Sequence, residues 1–253
     1  MNKKIILLSL GLVLFFSFLL SLGKISELFL LNKEDKYKGI DITYHILASN
    51  IQQFQEVRLK SNELILGLQS ELNIAFHNRF KFNIDTTNIQ IHIEPITIVE
   101  IYNNLKYNRG AIYLKLVQTY SKKNTINIYI IPSITDGEKI NDRVLLGFTP
   151  ILEKFYYKYD VYTPIYDNIF VSHDLNNKKE IYITIIHEIG HYLGQKHVFD
   201  LTYDEQLKSG INSKHLVKYN YMNYGDSINN FTDIQVNDME EFLYDNRFYL
   251  INK

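Results

Sequence analysis

The chain contains no cysteine. Disulfides, thiolate metal sites, cysteine nucleophiles and a lipidated N-terminal cysteine are therefore excluded, and any metal must be held by histidine, carboxylate or tyrosine. Glycine (11) and proline (4) are scarce among the 253 residues, which removes collagen-like and low-complexity classes. An excess of either charge is missing too, since 27 basic side chains oppose 28 acidic ones. That balance gives no basic footprint, so nucleic acid is not expected as a partner. What is there is 46% hydrophobic residues against 22% charged ones, a globular composition that excludes wholesale disorder.

Met1-Asn2-Lys3-Lys4 forms a short basic head, and an uncharged apolar run follows from Ile5 to Gly23. With the small-x-small step at Ser21-Leu22-Gly23, residues 1–23 read as a signal peptide cleaved after Gly23. The run is also long enough for an uncleaved anchor, with membrane attachment through residues 5–23. On either reading the rest of the chain is expected to be exported, secreted or held at the membrane. Residues 24–38 read as a charged tether and residues 39–253 as one domain, with no internal repeat.

Ile40, Ile42, Tyr44 and Ile46 alternate with Asp41, Thr43 and His45, the pattern of a half-buried strand. Leu64, Leu68, Leu72 and Phe76 recur every fourth residue, which predicts an amphipathic helix with Ser61 and Glu63 in its first turn. Ile89, Ile91 and Ile93 mark a second strand closed by Pro95, Thr125 to Ile131 a third ended by Pro132, and Asn168 to Ser172 a fourth. Lys178 to Leu193 reads as a helix, and a last one is expected near Val236 to Tyr244. The expected fold class is α/β (α+β): an upper lobe with a twisted mixed sheet and two long helices, then a small irregular lower lobe.

The chemistry concentrates at His187-Glu188-Ile189-Gly190-His191-Tyr192-Leu193-Gly194-Gln195-Lys196-His197, a complete H-E-x-x-H-x-x-G-x-x-H. At about 100° per residue, His187 and His191 share one helix face and can grip one ion. Glu188 is rotated off that face, within reach of a metal-bound water. Gly194 can take positive φ and end the helix, so that His197 swings back as a third ligand. Three imidazoles leave an open fourth position, the arrangement of a catalytic zinc site, with Glu188 as general base and acid toward a peptide bond. A lone histidine is usually an ordinary residue, but five specified positions on a predicted helix make coincidence a poor account. His45, His77, His92, His173 and His215 show no ligand spacing and read as ordinary residues.

This motif resembles that of metzincin zinc metallopeptidases, and the resemblance implies a methionine turn downstream. Asn220-Tyr221-Met222-Asn223-Tyr224 fits it. Met222 would be a structural floor beneath the metal, and Tyr224 an oxyanion stabiliser. Within that group the chain is most similar to the pappalysin (cytophagalysin) family. The similarity is carried by His197-Val198-Phe199 and the Met-turn, and by Phe231-Thr232-Asp233-Ile234-Gln235-Val236-Asn237-Asp238-Met239. Ile126-Asn127-Ile128-Tyr129-Ile130-Ile131 resembles the family's edge strand over the cleft, and Leu146-Gly147-Phe148-Thr149-Pro150 its L-G-Y-A-x-x-P segment. The family implies a zinc cleft between the lobes. The chain departs from it in lacking cysteines and in a short stretch from His197 to Met222; no Asp-rich loop matches the calcium sites of some relatives.

If Thr125 to Ile131 borders the cleft, a peptide or protein substrate can add to it as a further strand; the other reading is a central, fully paired strand. Asp226, just after the Met-turn, could favour a basic substrate side chain, although an Asp after Gly is most often a turn residue. Latency by a folded propeptide is not expected, because no cysteine exists and residues 24–38 are too few. The expected function is zinc-dependent endopeptidase. The alternative is a non-catalytic surface protein that keeps zinc and binds peptides, against which the retention of Glu188 argues. A hydrolase of cell-wall peptide cross-links would share the same site.

Overall fold

The computed structural model describes residues 39–107, 110–132, 139–140, 143–150, 167–173, 176–224, 228 and 230–251. Residues 1–38, read from sequence as signal or anchor and tether, lie outside them, as does Asp226. The elements run β1 (Ile40–Ala48), α1 (Ile51–Ala75), β2 (Phe82–Ile93), α2 (Ile98–Tyr107), α3 (Ala111–Tyr120) and β3 (Ile126–Pro132). Three short strands follow, β4 (Lys139–Ile140), β5 (Arg143–Val144) and β6 (Gly147–Phe148), then β7 (Asn168–His173) and α4 (Lys178–Tyr192). A 3-10 turn (Val198–Asp200), α5 (Tyr203–Lys208), α6 (Lys214–Tyr219), α7 (Asp233–Asn246) and a second 3-10 turn (Phe248–Leu250) complete the order.

The architecture is mixed α/β. Five strands form one sheet in the order β2-β1-β3-β7-β6, parallel except for β6, which runs antiparallel to β7. Every residue of β3 is buried, and β1 is nearly so, because helices cover both faces. On one face Ile42, Tyr44, Ile46, Ile128 and Ile130 meet Leu64, Leu68 and Leu72 of α1 and Ile181 and Ile185 of α4. On the other, Leu47, Tyr129, Ile131 and Phe170 meet Ile98, Ile101 and Leu105 of α2 and Tyr113, Leu116 and Val117 of α3.

Four expectations need correction. The strand at Thr125 to Ile131 is not an edge: β3 pairs with β1 on one side and β7 on the other, and the edge strand beside β7 is β6. β1 is not half-buried, since Thr43 and His45 are as covered as the isoleucines between them. His45 is held there by Asn127, whose Oδ1 accepts from Nε2 at 3.0 Å, and burial pushes its pKa down to about 4. α1 begins ten residues before Ser61, capped by the Asn50 side chain, which accepts from the Gln53 N–H. Finally, α2 and α3 fill the stretch between β2 and β3, where no helix was expected. Among the described residues no helix is long and apolar enough to cross a membrane.

Candidate metal centre

α4 starts at an Asn177 cap with Glu180 in its first turn, where a carboxylate suits the positive end of the helix dipole. Its buried face carries Ile181, Ile185 and Ile189 into the core and brings His187 and Glu188 with it, at 7% and 4% exposure. The helix stops where it must for the third histidine to return. Gly194 adopts φ 90, its N–H donates to the His191 carbonyl, and the Gln195 N–H reaches back to the Gly190 carbonyl at 2.9 Å. A Cβ at Gly194 would also stand 2.7 Å from Phe242 of α7, so side chain and backbone both require glycine here.

The returning chain brings His197 Nε2 to 3.3 Å from His187 Nε2 and 3.0 Å from His191 Nε2. The other nitrogens of the three rings are all engaged. His187 Nδ1 donates to the Tyr221 carbonyl at 2.6 Å, and His191 Nδ1 donates to the Gln195 carbonyl at 2.8 Å. His197 Nδ1 lies 3.1 Å from Asp200 Oδ2. A carbonyl only accepts, so the first two rings carry their proton on Nδ1 and turn an Nε2 lone pair inward. Burial holds both neutral, lowering His187 to about 4 and His191 to about 3, with neighbouring histidines adding to the effect on each. The three Nε2 atoms face one another closely enough to hold one metal ion between them. Among the described residues they form the one such group of three.

Glu188 lies outside that triad, as its place on the helix demands. Its Oε2 accepts from the Thr149 hydroxyl at 2.8 Å, and burial pushes its pKa up to about 8 against that hydrogen bond. Met222 is fully buried, with Sδ packed so tightly on Gly190 that a Cβ there would lie 2.6 Å away. The Met222 carbonyl accepts from the Val198 N–H at 2.9 Å, tying the turn to the segment that carries His197. Tyr224 is 67% exposed and sets its phenol oxygen 2.9 Å from His197 Nε2. The structure brings the sequence-predicted His187, His191 and His197 together with the Tyr224 phenol on His197, while Glu188 sits beside His187 in the chain and packs on Gly147 and Thr149, and Met222 packs on Gly190; Asp226 lies outside the described residues.

Several contributors were missed by the sequence reading. Thr149 is separated from Glu188 by 39 positions, with no local signal. Asn220 and Gln235, both fully buried, pair side chain to side chain at 2.6 Å; Asn220 Oδ1 also accepts from the Met222 N–H, and Gln235 closes the capping box of α7 with Thr232. This pair pins the methionine turn to α7. Asp200 was missed as well, although three residues after His197 is a readable spacing for a partner to Nδ1. Replacing Asp200 by alanine is expected to weaken binding of a divalent metal ion about tenfold, the low end for such partners because the carboxylate is half exposed. Competition with a chromophoric chelator measures this, and an unchanged dissociation constant would remove Asp200 from the site.

No protein-family model matches the chain, and no curated protein matches it. Among solved structures, one described as a chaperone-substrate complex superposes over 86% of this chain and 35% of its own, at 14% identity and a TM-score of 0.44. Metalloproteinase-II from Bacteroides fragilis superposes over 82% of this chain and 54% of its own, at 13% identity and a TM-score of 0.40. The chain therefore spans about a third of the length of the first and about half that of the second. At such similarity the functional reading rests on the side chains themselves.

Proposed function

We propose that this chain is an exported, zinc-dependent endopeptidase with a metzincin-like catalytic domain, nearest the pappalysin family in its motifs. The observation that carries the reading is the convergence of three inward-facing imidazole nitrogens beside a buried carboxylate. His187, His191 and His197 would hold the ion, and the all-imidazole set with an open side is that of catalytic zinc rather than structural zinc. When bound, zinc would supply Lewis acidity, polarising a substrate carbonyl and acidifying a water.

The chain's own residues do the rest. Glu188 takes a proton at Oε1, since Oε2 is engaged by Thr149, and delivers it to the departing amine. Tyr224 donates its phenol proton toward the oxygen that gains charge as the carbonyl becomes tetrahedral. Met222 keeps water and polar groups away from the underside of the histidines. An extended peptide pairs with β6, the edge that already touches Glu188, and lies across the cleft between the sheet lobe and the smaller lobe after Gly194.

The test uses the chain from Gly39 onward, as wild type and as Glu188→Ala, each with its zinc quantified, against a diverse peptide library read by mass spectrometry. Chelator-sensitive cleavage by wild type alone is the expected result. If both proteins hold zinc and neither cuts, the chain is a zinc-containing peptide binder instead.

A further inference from the structure

Strand β6 ends the sheet among the described residues, and Thr149 follows it directly: we propose that Thr149 is a positioning residue for Glu188, and that Gly147 and Thr149 together form a two-point seat for its carboxylate. The catalytic consequence rests on the peptidase reading above, whereas the seat is a property of the fold. The Thr149 hydroxyl stands 2.8 Å from Glu188 Oε2 and 3.0 Å from the Glu188 carbonyl. One hydroxyl carries one proton, and the charged carboxylate is the stronger acceptor, so the bond to Oε2 dominates. The other oxygen is placed by contact. A Cβ at Gly147 would lie 2.9 Å from Glu188 Oε1 and 2.9 Å from Thr184 Cγ2, so the bare backbone of β6 lies against the carboxylate with Thr184 closing the side.

These contacts leave Glu188 little choice of rotamer. It is 4% exposed, and a buried carboxylate without a donor either takes a proton or swings toward water. The Thr149 hydroxyl works against both exits: it favours the charged form, against the burial that raises the pKa, and it tethers the side chain inward. The seat also has a consequence for substrate. A peptide added to β6 would be aligned by the same short strand that aligns the base, so the scissile bond and Glu188 share one frame of reference. Any slip of β6 relative to α4 would misplace both, and a misplacement of about 1 Å is enough to cost on the order of a hundredfold in rate.

Thr149→Val replaces the hydroxyl by a methyl of the same size. It is expected to lower kcat about 10- to 100-fold with KM within about twofold, zinc content being equal. Thr149→Ser restores the donor and should return kcat to within about threefold. A second measurement is independent of catalysis. Thr149→Val should lower Tm by about 5 °C in the native background and by about 2 °C or less beside Glu188→Ala, where only the bond to the carbonyl of residue 188 is left to lose. Equal losses of Tm in both backgrounds would overturn the seat. A native kcat in Thr149→Val would overturn the positioning role even with the seat intact. A wild type that cuts no peptide counts against the peptidase reading, and the thermal cycle alone then decides the seat.

Discussion

Adding zinc to the metal-free protein is expected to raise its Tm by about 8 to 16 °C, and His191→Ala should abolish that rise. The three Nε2 atoms lie within 4.8 Å of one another, with two inward lone pairs enforced by carbonyl partners. The native fold therefore presents a formed site, while the unfolded chain scatters its ligands over eleven residues with no common orientation. A ligand that binds only the folded state at a thousandfold over its dissociation constant stabilises it by about 4 kcal/mol. For a domain of this size each kcal/mol moves Tm by about 2 to 4 °C, which gives the stated range. His215→Ala is the control: His215 is exposed and packs on Tyr219 within α6, so its loss should leave the zinc-induced rise whole. Scanning calorimetry with zinc and then with chelator reads all three proteins. If zinc leaves the wild-type Tm unmoved, the triad is not a metal centre.

What could be read from the chain in advance was what is local. The eleven residues from His187 to His197 contain the helix face, its stop at Gly194 and the return of the third ligand, so their meeting needed only helix geometry. The Met-turn was legible as a string, whereas the helix start at Thr232 and Gln235 lies before the Val236 at which the last helix was expected to begin. That Gln235 also holds Asn220 is a contact across 15 positions, which no periodicity announces. Sheet order was hidden for a related reason. An apolar run such as Ile126 to Ile131 looks alike at the centre of a sheet and at a covered edge, because burial on both faces is common to both. The edge strand on the β7 side, β6, has two residues, too few to show alternation. α1 was read ten residues short because Ile51 to Lys60 contributes one buried side chain, Val57, leaving the Asn50 cap as its sole signal. In α2 and α3 the spacing of Ile98, Ile101 and Leu105 and of Tyr113, Leu116 and Val117 is helical. Tyr102-Asn103-Asn104, poor helix formers, mask the first of these, and both helices are short.

The second large effect lies behind the metal helix. Tyr192 directly follows His191 and points the other way, into a buried polar knot. There Asp167 Oδ1 accepts from Tyr192 Oη at 2.6 Å, from Arg247 Nη1 at 2.9 Å and from Tyr249 Oη at 2.5 Å. The Arg247 guanidinium also stacks on the Tyr192 ring, 3.7 Å from its centroid. Burial and the Asp167 charge raise Tyr249 to about 12 and Tyr192 further, so both phenols stay protonated and keep donating. The knot joins the residue before β7, the end of α4 and the 3-10 turn after α7. With Asp167 and Arg247 at 5% and 2% exposure, removing one partner strands a charge in the interior, and Arg247→Met is expected to cost about 3 to 5 kcal/mol. Asp167→Asn should cost a similar amount, because the guanidinium then faces a neutral amide. The double variant should cost well below the sum, since neither charge remains to be stranded. Urea denaturation of the four proteins, all zinc-loaded, gives the cycle. Strictly additive losses would mean that the two charges do not stabilise each other, and that the end of α4 is held by the tyrosines alone.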